Sequence, residues 1–299
     1  MKIKFWGVRG SIPTPGKKTI RYGGNTPCLE VRPDDETLLI LDAGTGISSF
    51  GDYLMESNQP VRAHVLLTHT HWDHIQGLPF FHPANQEGNE FTIIGSNHNS
   101  VPLQKIISDQ MRSMYFPLQF EELKAKINFQ VLEEETITIG ATTIETRYVN
   151  HPGYTLGFRI THGGKSLVYI SDNEPFSKEQ SDSSLNKVEK PVVDLFKQVG
   201  GNPNSRIVDF ARDADILIHD SMFTPSEYKQ KEFWGHSDYR FALDIAVQAR
   251  ANTLILFHHG PHHTDEDVDT IVENCRKELE NKPYKPDCIA AAEGLEISL

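Results

Sequence analysis

The chain has 299 residues, a length that fits one large domain or two small ones. Hydrophobic residues make up 38% and charged residues 23%, which is ordinary for a globular protein, and no apolar run is long enough to cross a bilayer. The formal net charge of −12 disfavours a broad face for nucleic acid, because an acidic surface repels polyanions. A small phosphodiester at a metal site is not excluded, since bound cations dominate the field there.

The cysteines and the N-terminal residues bear on the compartment. Cys28, Cys275 and Cys288 are widely spaced and odd in number, so we expect buried, reduced thiols rather than a disulfide framework. The first ten residues lack an apolar stretch followed by a small-residue cleavage site, so no secretory signal is predicted. We therefore expect a cytoplasmic protein that does not associate with a membrane.

The predicted elements begin with short strands joined by turns rich in glycine and proline, and helices become frequent later. In chain order, the predicted strands are Lys2–Trp6, Cys28–Val31, Leu38–Asp42, Val61–Leu67, Phe91–Gly95, Asn128–Val131, Thr142–Val149, Thr155–Ile160, Ser166–Ile170, Asp215–His219 and Thr253–Phe257. The predicted helices run from Thr45 or Ser48 to about Glu56, near Val101–Met114, near Val188–Val199, and over Tyr239–Arg250 and Asp265–Asn281. This order indicates an α/β sandwich with both sheets buried under helices.

One polar segment, about 174–206, stands apart from this pattern. Its centre, Ser177–Asn186, is rich in Ser, Asp and Glu, and Gly200-Gly201-Asn202-Pro203 lies near its end. The segment is either a lid or arm over a functional site or a solvated surface excursion. With no repeat and no low-complexity tract elsewhere, we expect a single domain over residues 1–299 that carries this insertion.

A cluster of metal-ligand residue types follows the predicted strand Val61–Leu67. His69, His71, Asp73 and His74 fall within six residues, in a loop that can turn several side chains toward one point. Imidazole and carboxylate are the ligands that zinc and similar divalent ions accept. The sequence therefore predicts a metal site here.

Three further ligand-type residues stand directly after apolar runs. They are His151, Asp172 and His258, each at the expected end of a strand. A rigid sheet presents such residues and the following loop gives them access, so functional side chains collect there. Together with the first cluster they supply seven ligands, which is enough for two ions.

The motif His-x-His-x-Asp-His at residues 69–74 resembles the hallmark of the metallo-β-lactamase superfamily, and the resemblance extends over nearly the whole chain. It implies a four-layer αββα sandwich, with an early Asp-x-Gly turn in which Asp42 supports the ligand loop. His258 is preferred to its neighbour His259 because it lies one residue closer to the strand. The implied ligands are His69, His71 and His151 for one metal, Asp73, His74 and His258 for the second, and Asp172 as the bridge between them.

A second motif suggests the branch of the superfamily. Gly235-His236-Ser237 precedes a predicted helix, lies 22 residues before His258, and resembles the ribonuclease Z-like branch, as does the run Asp215–Asp220. The N-terminal segment Phe5–Pro13 resembles phosphodiesterases of the same group, including those for cyclic nucleotides. Two ions would supply a bridging hydroxide as nucleophile, with Asp73 as a catalytic residue that orients it or takes its proton. The resemblance implies that His236 is catalytic and either protonates the leaving oxygen or stabilises charge near the scissile phosphate. Arg9 is expected to contact a phosphate or to form a structural salt bridge.

These observations favour a hydrolase of a small phosphodiester, such as a cyclic nucleotide, with no extended nucleic-acid surface. The segment 174–206 is not markedly basic and the chain is acidic, which disfavours transfer RNA. The alternatives are an ester, lactone or thioester hydrolase on the same fold, and a tRNA-processing endonuclease. A non-hydrolytic di-iron protein is disfavoured because His71 stands where such proteins carry Glu. Zn²⁺ is the favoured ion, with Mn²⁺ and Fe²⁺ as alternatives, and the resemblance also implies a homodimer.

Overall fold

The structure is a computed structural model that describes residues 1–177, 189–199 and 201–299. In this part of the chain, two seven-stranded mixed sheets pack face to face. The strands are β1 (Lys2–Gly7), β2 (Cys28–Arg32), β3 (Leu39–Leu41), β4 (Arg62–Leu66), β5 (Glu90–Gly95), β6 (Lys126–Val131), β7 (Thr136–Ile139), β8 (Thr142–Tyr148), β9 (Leu156–His162), β10 (Lys165–Ile170), β11 (Ile216–Asp220), β12 (Thr253–Phe257), β13 (Asp287–Ala290) and β14 (Glu296–Ser298).

The helices lie mainly in the connections between parallel strands. They are α1 (Gly46–Met55), α2 (Trp72–Ile75), α3 (Leu103–Asp109), α4 (Lys190–Lys197), α5 (Ser205–Phe210), α6 (Pro225–Tyr228), α7 (Tyr239–Ala249) and α8 (Asp265–Leu279). The first sheet has the order β14-β1-β2-β3-β4-β5-β6 and the second the order β13-β12-β11-β10-β9-β8-β7. No helix of the described residues has the length and apolar character needed to span a membrane.

The sandwich forms because several strands are apolar on both faces. In β3, Leu39 and Leu41 point into the core between the two sheets, while Ile40 points to a second core under α1. Successive side chains of a strand point to opposite faces, so a continuous apolar run buries both. The predicted α/β fold with helices covering two sheets is therefore confirmed.

The predicted elements differ from the observed ones mainly in three ways. The short strands β7, β13 and β14 were not predicted, because each offers only three or four residues of pattern. The short helices α2, α5 and α6 were not predicted either, because each has only four to six residues. The helix predicted near Val101–Met114 is confined to Leu103–Asp109, and the side chain of Met114 lies in solvent. The three cysteines are buried and free, as predicted.

The segment predicted as an insertion contributes to the core where the structure describes it. Phe196 of α4 is fully buried and stacks on Phe176, with 5.0 Å between the ring centroids. Val192 and Val193 are buried in the same core. Residues 178–188, which include all of the Ser-, Asp- and Glu-rich centre except Ser177, lie outside the described residues.

Candidate metal centre

The topology brings the ends of several strands to one edge of the second sheet. β10, β11 and β12 are parallel, and β8 runs in the same direction because both β8 and β10 pair antiparallel with β9. Their carboxyl ends therefore meet at this edge. The first sheet joins it through the loop after β4, where the carbonyl oxygen of Thr68 accepts a hydrogen bond of 2.9 Å from the amide of Leu156.

The first group of ligand-type side chains is formed by three histidines. His69 and His71 lie in the loop after β4, and His151 follows β8. Nδ1 of His71 lies 2.9 Å from Nε2 of His69 and 3.0 Å from Nε2 of His151. Nitrogens that bind one zinc ion at about 2.0–2.1 Å stand little more than 3 Å apart, so this spacing fits a shared ion.

A second group lies beside the first. α2 begins directly after His71, which places Asp73 and His74 in a single helical turn. Oδ2 of Asp73 lies 3.4 Å from Nε2 of His74 and 3.2 Å from Nε2 of His258, which follows β12. These three residues can also hold one ion.

Asp172 lies between the two groups and turns one oxygen toward each. Its Oδ1 is 3.1 Å from Nε2 of His74 and 3.4 Å from Nε2 of His258. Its Oδ2 is 3.6 Å from Nε2 of His151 and 3.8 Å from Nε2 of His69. A carboxylate in this position can bridge two cations.

Two buried atoms at the centre of the cluster show that these residues fit metal ions. Nε2 of His74 and Oδ1 of Asp172 make no hydrogen bond within the described residues, although they lie close together. Buried polar atoms are normally hydrogen-bonded, so such atoms call for another partner. A divalent cation between them would satisfy both.

The electrostatics of the cluster also suit cations. Burial lowers the pKa of His69 and His71, and lowers that of His151 to about 3, so their imidazoles are neutral as metal ligands must be. Burial opposes ionisation of Asp73 and Asp172, but the neighbouring histidines hold their pKa values well below the usual range. The neutral imidazoles of the first group and the charged carboxylates form a suitable donor set for divalent ions. Burial opposes protonation of His74, but Asp172, Asp73 and Asp42 raise its pKa well above the usual value, so this residue must release a proton when it binds a cation.

Asp42 supports the second group, as the sequence predicted. It follows β3 in the left-handed region, with φ of 58°, and is fully buried. Its carboxylate accepts hydrogen bonds from Nδ1 of His74 at 2.9 Å, the hydroxyl of Tyr169 at 2.7 Å and the amide of Thr68 at 2.8 Å. Because Nδ1 of His74 donates to Asp42, its Nε2 is directed to the cluster.

His236 lies beside both groups. Its ring centroid is 4.9 Å from that of His258 and 5.1 Å from that of His151. Nδ1 of His236 donates to Oδ2 of Asp220 at 2.9 Å, which orients the ring. Burial alone would lower the pKa of His236, but Asp220, Asp172 and other carboxylates raise it to about 9.

The structure separates the alternatives at the last histidine. His258 is completely buried in the cluster, whereas Nε2 of His259 donates to the carbonyl oxygen of Ala291 at 2.8 Å, outside the cluster. His262 is exposed, and His263 pairs with Glu227 at 3.1 Å. The geometry thus favours His258 as the member of the ligand set.

Arg9 has a different role from the two that were expected. It is fully buried, and its guanidinium donates hydrogen bonds to the carbonyl oxygens of Gly23, Gly260 and His263 at 2.9–3.1 Å. It therefore ties together two loops near the site. Neither a phosphate contact nor a salt bridge explains its burial.

Sequence reasoning gave no role to two residues that organise the site. Asp220 orients His236, and its position at the end of a buried strand is the same signal that identified Asp172. Glu174 is buried and accepts hydrogen bonds from the amides of Phe233 at 2.7 Å and Gly235 at 3.0 Å. No sequence pattern pointed to this contact, because it joins residues about sixty positions apart.

Comparison with known proteins places the chain in a family. The family profile described as "Beta-lactamase superfamily domain" matches residues 38–196. Ribonuclease Z of Thermoplasma acidophilum is 28% identical, over 94% of this chain and 92% of that protein. The chain therefore belongs to the beta-lactamase superfamily and is a hydrolase of the metallo-β-lactamase fold, with a His and Asp cluster that can bind metal.

Solved structures agree on the fold. The metallo-beta-lactamase fold protein YhfI of Bacillus subtilis has a TM-score of 0.68 at 19% identity, covering 99% of this chain and 98% of that one. The short form of human tRNase Z has a TM-score of 0.63 at 18% identity, covering 100% of this chain and 99% of that one. At these identities the likeness concerns the fold alone.

The expectation of a small substrate and no extended nucleic-acid partner is wrong. The relative from Thermoplasma acidophilum is named as a ribonuclease, and the human structural neighbour is named as a tRNase. The expectation relied on the net charge of −12, which averages the whole surface. The field that a substrate meets is set locally, by bound cations and the side chains around them.

Proposed function

We propose that this protein is a metal-dependent phosphodiesterase that cleaves RNA, as a tRNA-processing endonuclease. The observation that carries the proposal is the carboxylate of Asp172 with one oxygen toward each of two ligand groups, beside a histidine oriented by Asp220. A two-metal site is suited to displacement at phosphorus because it can stabilise both the attacking and the leaving oxygen. The relatives named ribonuclease Z support RNA as the substrate class.

The proposed metal ligands are those of the two groups. His69, His71 and His151 would hold one ion, Asp73, His74 and His258 would hold the other, and Asp172 would contact both. Zn²⁺ is the ion that we propose, because nitrogen donors dominate the set. When bound, the two ions lower the pKa of a water molecule toward neutrality and neutralise charge on the phosphate.

The protein's own residues orient the reactants and move the proton. Oδ2 of Asp73 accepts a hydrogen bond of 2.8 Å from the amide of Ser11, which fixes the carboxylate that orients the attacking water. His236 donates a proton to the leaving oxygen through Nε2, since its Nδ1 is engaged by Asp220. Most of the His236 side chain is buried, so bulk water has little access to this proton.

The relatives named ribonuclease Z favour a phosphodiesterase over the other hydrolases of the same fold. An ester, lactone or thioester hydrolase remains an alternative from the sequence, and the acid supplied by His236 and Asp220 does not separate them, because esters and lactones also release an alkoxide. We also propose that one domain, residues 1–299, carries the activity. Cytoplasmic location and a homodimer stay predictions.

The test compares four substrates with protein reconstituted with Zn²⁺ or Mn²⁺. Precursor tRNA with a 3′ trailer and bis-(p-nitrophenyl) phosphate should be cleaved, whereas a lactone and a glutathione thioester should not. His236→Ala should lower kcat about 10²- to 10⁴-fold, the range for a general acid, and should keep the native metal content. Turnover of the lactone or thioester without cleavage of either phosphodiester would refute the proposal.

A further inference from the structure

Trp234 is an exposed aromatic residue immediately before the site. Its side chain is 59% exposed, and it is followed by the buried residues Gly235 and His236. Large aromatic side chains are normally buried because water contact with the ring is unfavourable. An indole kept in solvent beside a reactive histidine therefore points to a ligand that covers it.

The segment that presents Trp234 is fixed rather than loosely attached. The carboxylate of Glu174, buried beneath it, accepts hydrogen bonds from the amides on both sides of Trp234, those of Phe233 at 2.7 Å and Gly235 at 3.0 Å. Tyr228 donates a third at 3.1 Å. Phe233 has φ of 69°, a left-handed conformation that bulky residues rarely adopt. Backbone strain of this kind persists where the surrounding structure enforces it, commonly at ligand sites.

A positive charge accompanies the indole. Nζ of Lys231 lies 4.4 Å from the centroid of the Trp234 ring and 5.4 Å from that of Phe223. Proteins that bind single-stranded nucleic acid combine aromatic rings, on which bases stack, with basic groups that meet the backbone. Trp234 offers the aromatic ring and Lys231 the basic group, and the two residues are three positions apart in the chain.

The loop is also tied directly to the metal centre. The carbonyl oxygen of Gly235 accepts a hydrogen bond of 2.6 Å from Nδ1 of His151. The backbone on both sides of Trp234 is therefore fixed relative to the first ligand group. A nucleotide stacked on Trp234 would contact the loop that carries His236.

We propose that Trp234 and Lys231 form a base-stacking subsite for an RNA nucleotide adjacent to the scissile phosphate. This inference rests on the proposed function and deepens it. The stacked ring is a nucleobase, and Lys231 meets a neighbouring phosphate. The subsite contributes to binding of the RNA and leaves the bond-breaking step to the metal centre and His236.

Binding is tested first by intrinsic fluorescence on the metal-loaded protein, with a single-stranded oligoribonucleotide made resistant to cleavage by phosphorothioate linkages as the probe. The tryptophans are Trp6, Trp72 and Trp234. Base stacking should quench Trp234, so quenching should persist in Trp72→Phe and be largely lost in Trp234→Phe. Equal quenching in Trp234→Phe and the native protein would overturn the subsite.

Kinetics then pair a change in the protein with a change in the RNA. Trp234→Ala should raise KM for precursor tRNA about 5- to 150-fold, the range for loss of one stacked base, with kcat nearly unchanged and partial rescue in Trp234→Phe. A set of precursor tRNAs, each lacking one base near the cleavage position, identifies the stacked nucleotide. For one of them, KM with the native protein should rise as much as Trp234→Ala raises it for intact tRNA, and Trp234→Ala should raise it no further. Tyr115→Ala, which removes another exposed aromatic side chain, is the matched control and should retain the native KM.

The outcomes separate this inference from the function on which it rests. Cleavage of precursor tRNA by Trp234→Ala with native KM, or strictly additive effects with every abasic substrate, overturns the subsite and leaves the proposed function intact. Failure of the native, metal-loaded protein to cleave or bind any RNA overturns both.

Discussion

Nδ1 of His151 donates a hydrogen bond of 2.6 Å to the carbonyl oxygen of Gly235, 84 residues later in the chain. Because a carbonyl oxygen can only accept, this contact places the proton of the neutral imidazole on Nδ1 and leaves the lone pair of Nε2 for a metal ion. It also joins one ligand group to the loop that carries His236. A single backbone contact thus sets the tautomer of one residue and the location of another.

Gly235→Ala should break this relationship. Gly235 has φ of 87°, and an added Cβ would lie 2.5 Å from Nδ1 of His151, which is closer than real Cβ atoms come. We expect metal affinity to fall about 10- to 100-fold, the range for loss of a partner that orients a ligand. Competition with a chromogenic chelator measures this affinity.

The matched control for this prediction is Gly88→Ala. Gly88 has nearly the same backbone conformation, with φ of 90°, but nothing lies within 4 Å of an added Cβ. It should carry the same backbone strain without the clash, and should therefore lose less stability and bind metal with native affinity. Native metal affinity in Gly235→Ala would contradict the role assigned to the carbonyl contact.

Gly10→Ala should weaken the second ligand group selectively. A Cβ on Gly10 would lie 2.6 Å from Cε1 and Nδ1 of His258, whose Nε2 faces Asp73 and Asp172. The ring must move, and the ion that it helps to hold should bind about 10- to 100-fold more weakly. Metal analysis after dialysis should approach one ion per chain, as in His258→Ala, and full retention of two ions would count against the assignment.

Asp220→Asn should impair the proton donor without removing metal. Oδ2 of Asp220 accepts hydrogen bonds from Nδ1 of His236 at 2.9 Å and from the amide of Asn173 at 3.0 Å. The amide replacement keeps the shape but loses the charge that holds the imidazole in position, so we expect kcat to fall about 10- to 100-fold. A double variant with His236→Ala should be no slower than His236→Ala alone, and an additive loss would show that Asp220 acts by another route.

His64 should make the protein less stable in acid. Burial in the first sheet lowers the pKa of His64, against the opposing effect of Glu90. The unfolded chain, with a histidine pKa of about 6.5, therefore takes up this proton before the folded protein does, and stability is lost as the pH falls below that value. Urea unfolding of metal-free protein measures the free energy of unfolding at pH 7.5 and at pH 5.5. The decrease between the two pH values should be smaller for His64→Gln than for the native chain, and equal decreases would contradict the prediction.

Much of the fold was predictable because the strands that matter are strongly apolar. β10, β11 and β12 are almost entirely buried runs and β4 is buried at three of its five positions, and each was identified close to its observed bounds. The weak elements were β7, β13 and β14, which are short and partly exposed. Such strands are stabilised by pairing with a neighbour, and that pairing leaves little trace in the local pattern.

By itself, the sequence determined which residues are candidates for the metal centre. A histidine or aspartate directly after a buried strand can be recognised from the neighbouring residues alone, because the strand and the loop that follows it are adjacent in the chain. The tertiary structure alone decided how they face one another. Asp172 turns its two oxygens to different ligand groups, Asp220 orients His236, and Glu174 fixes the backbone around Trp234. These relations depend on the order of strands in the sheet and on contacts between residues far apart in the chain, and neither is encoded in any short stretch of sequence.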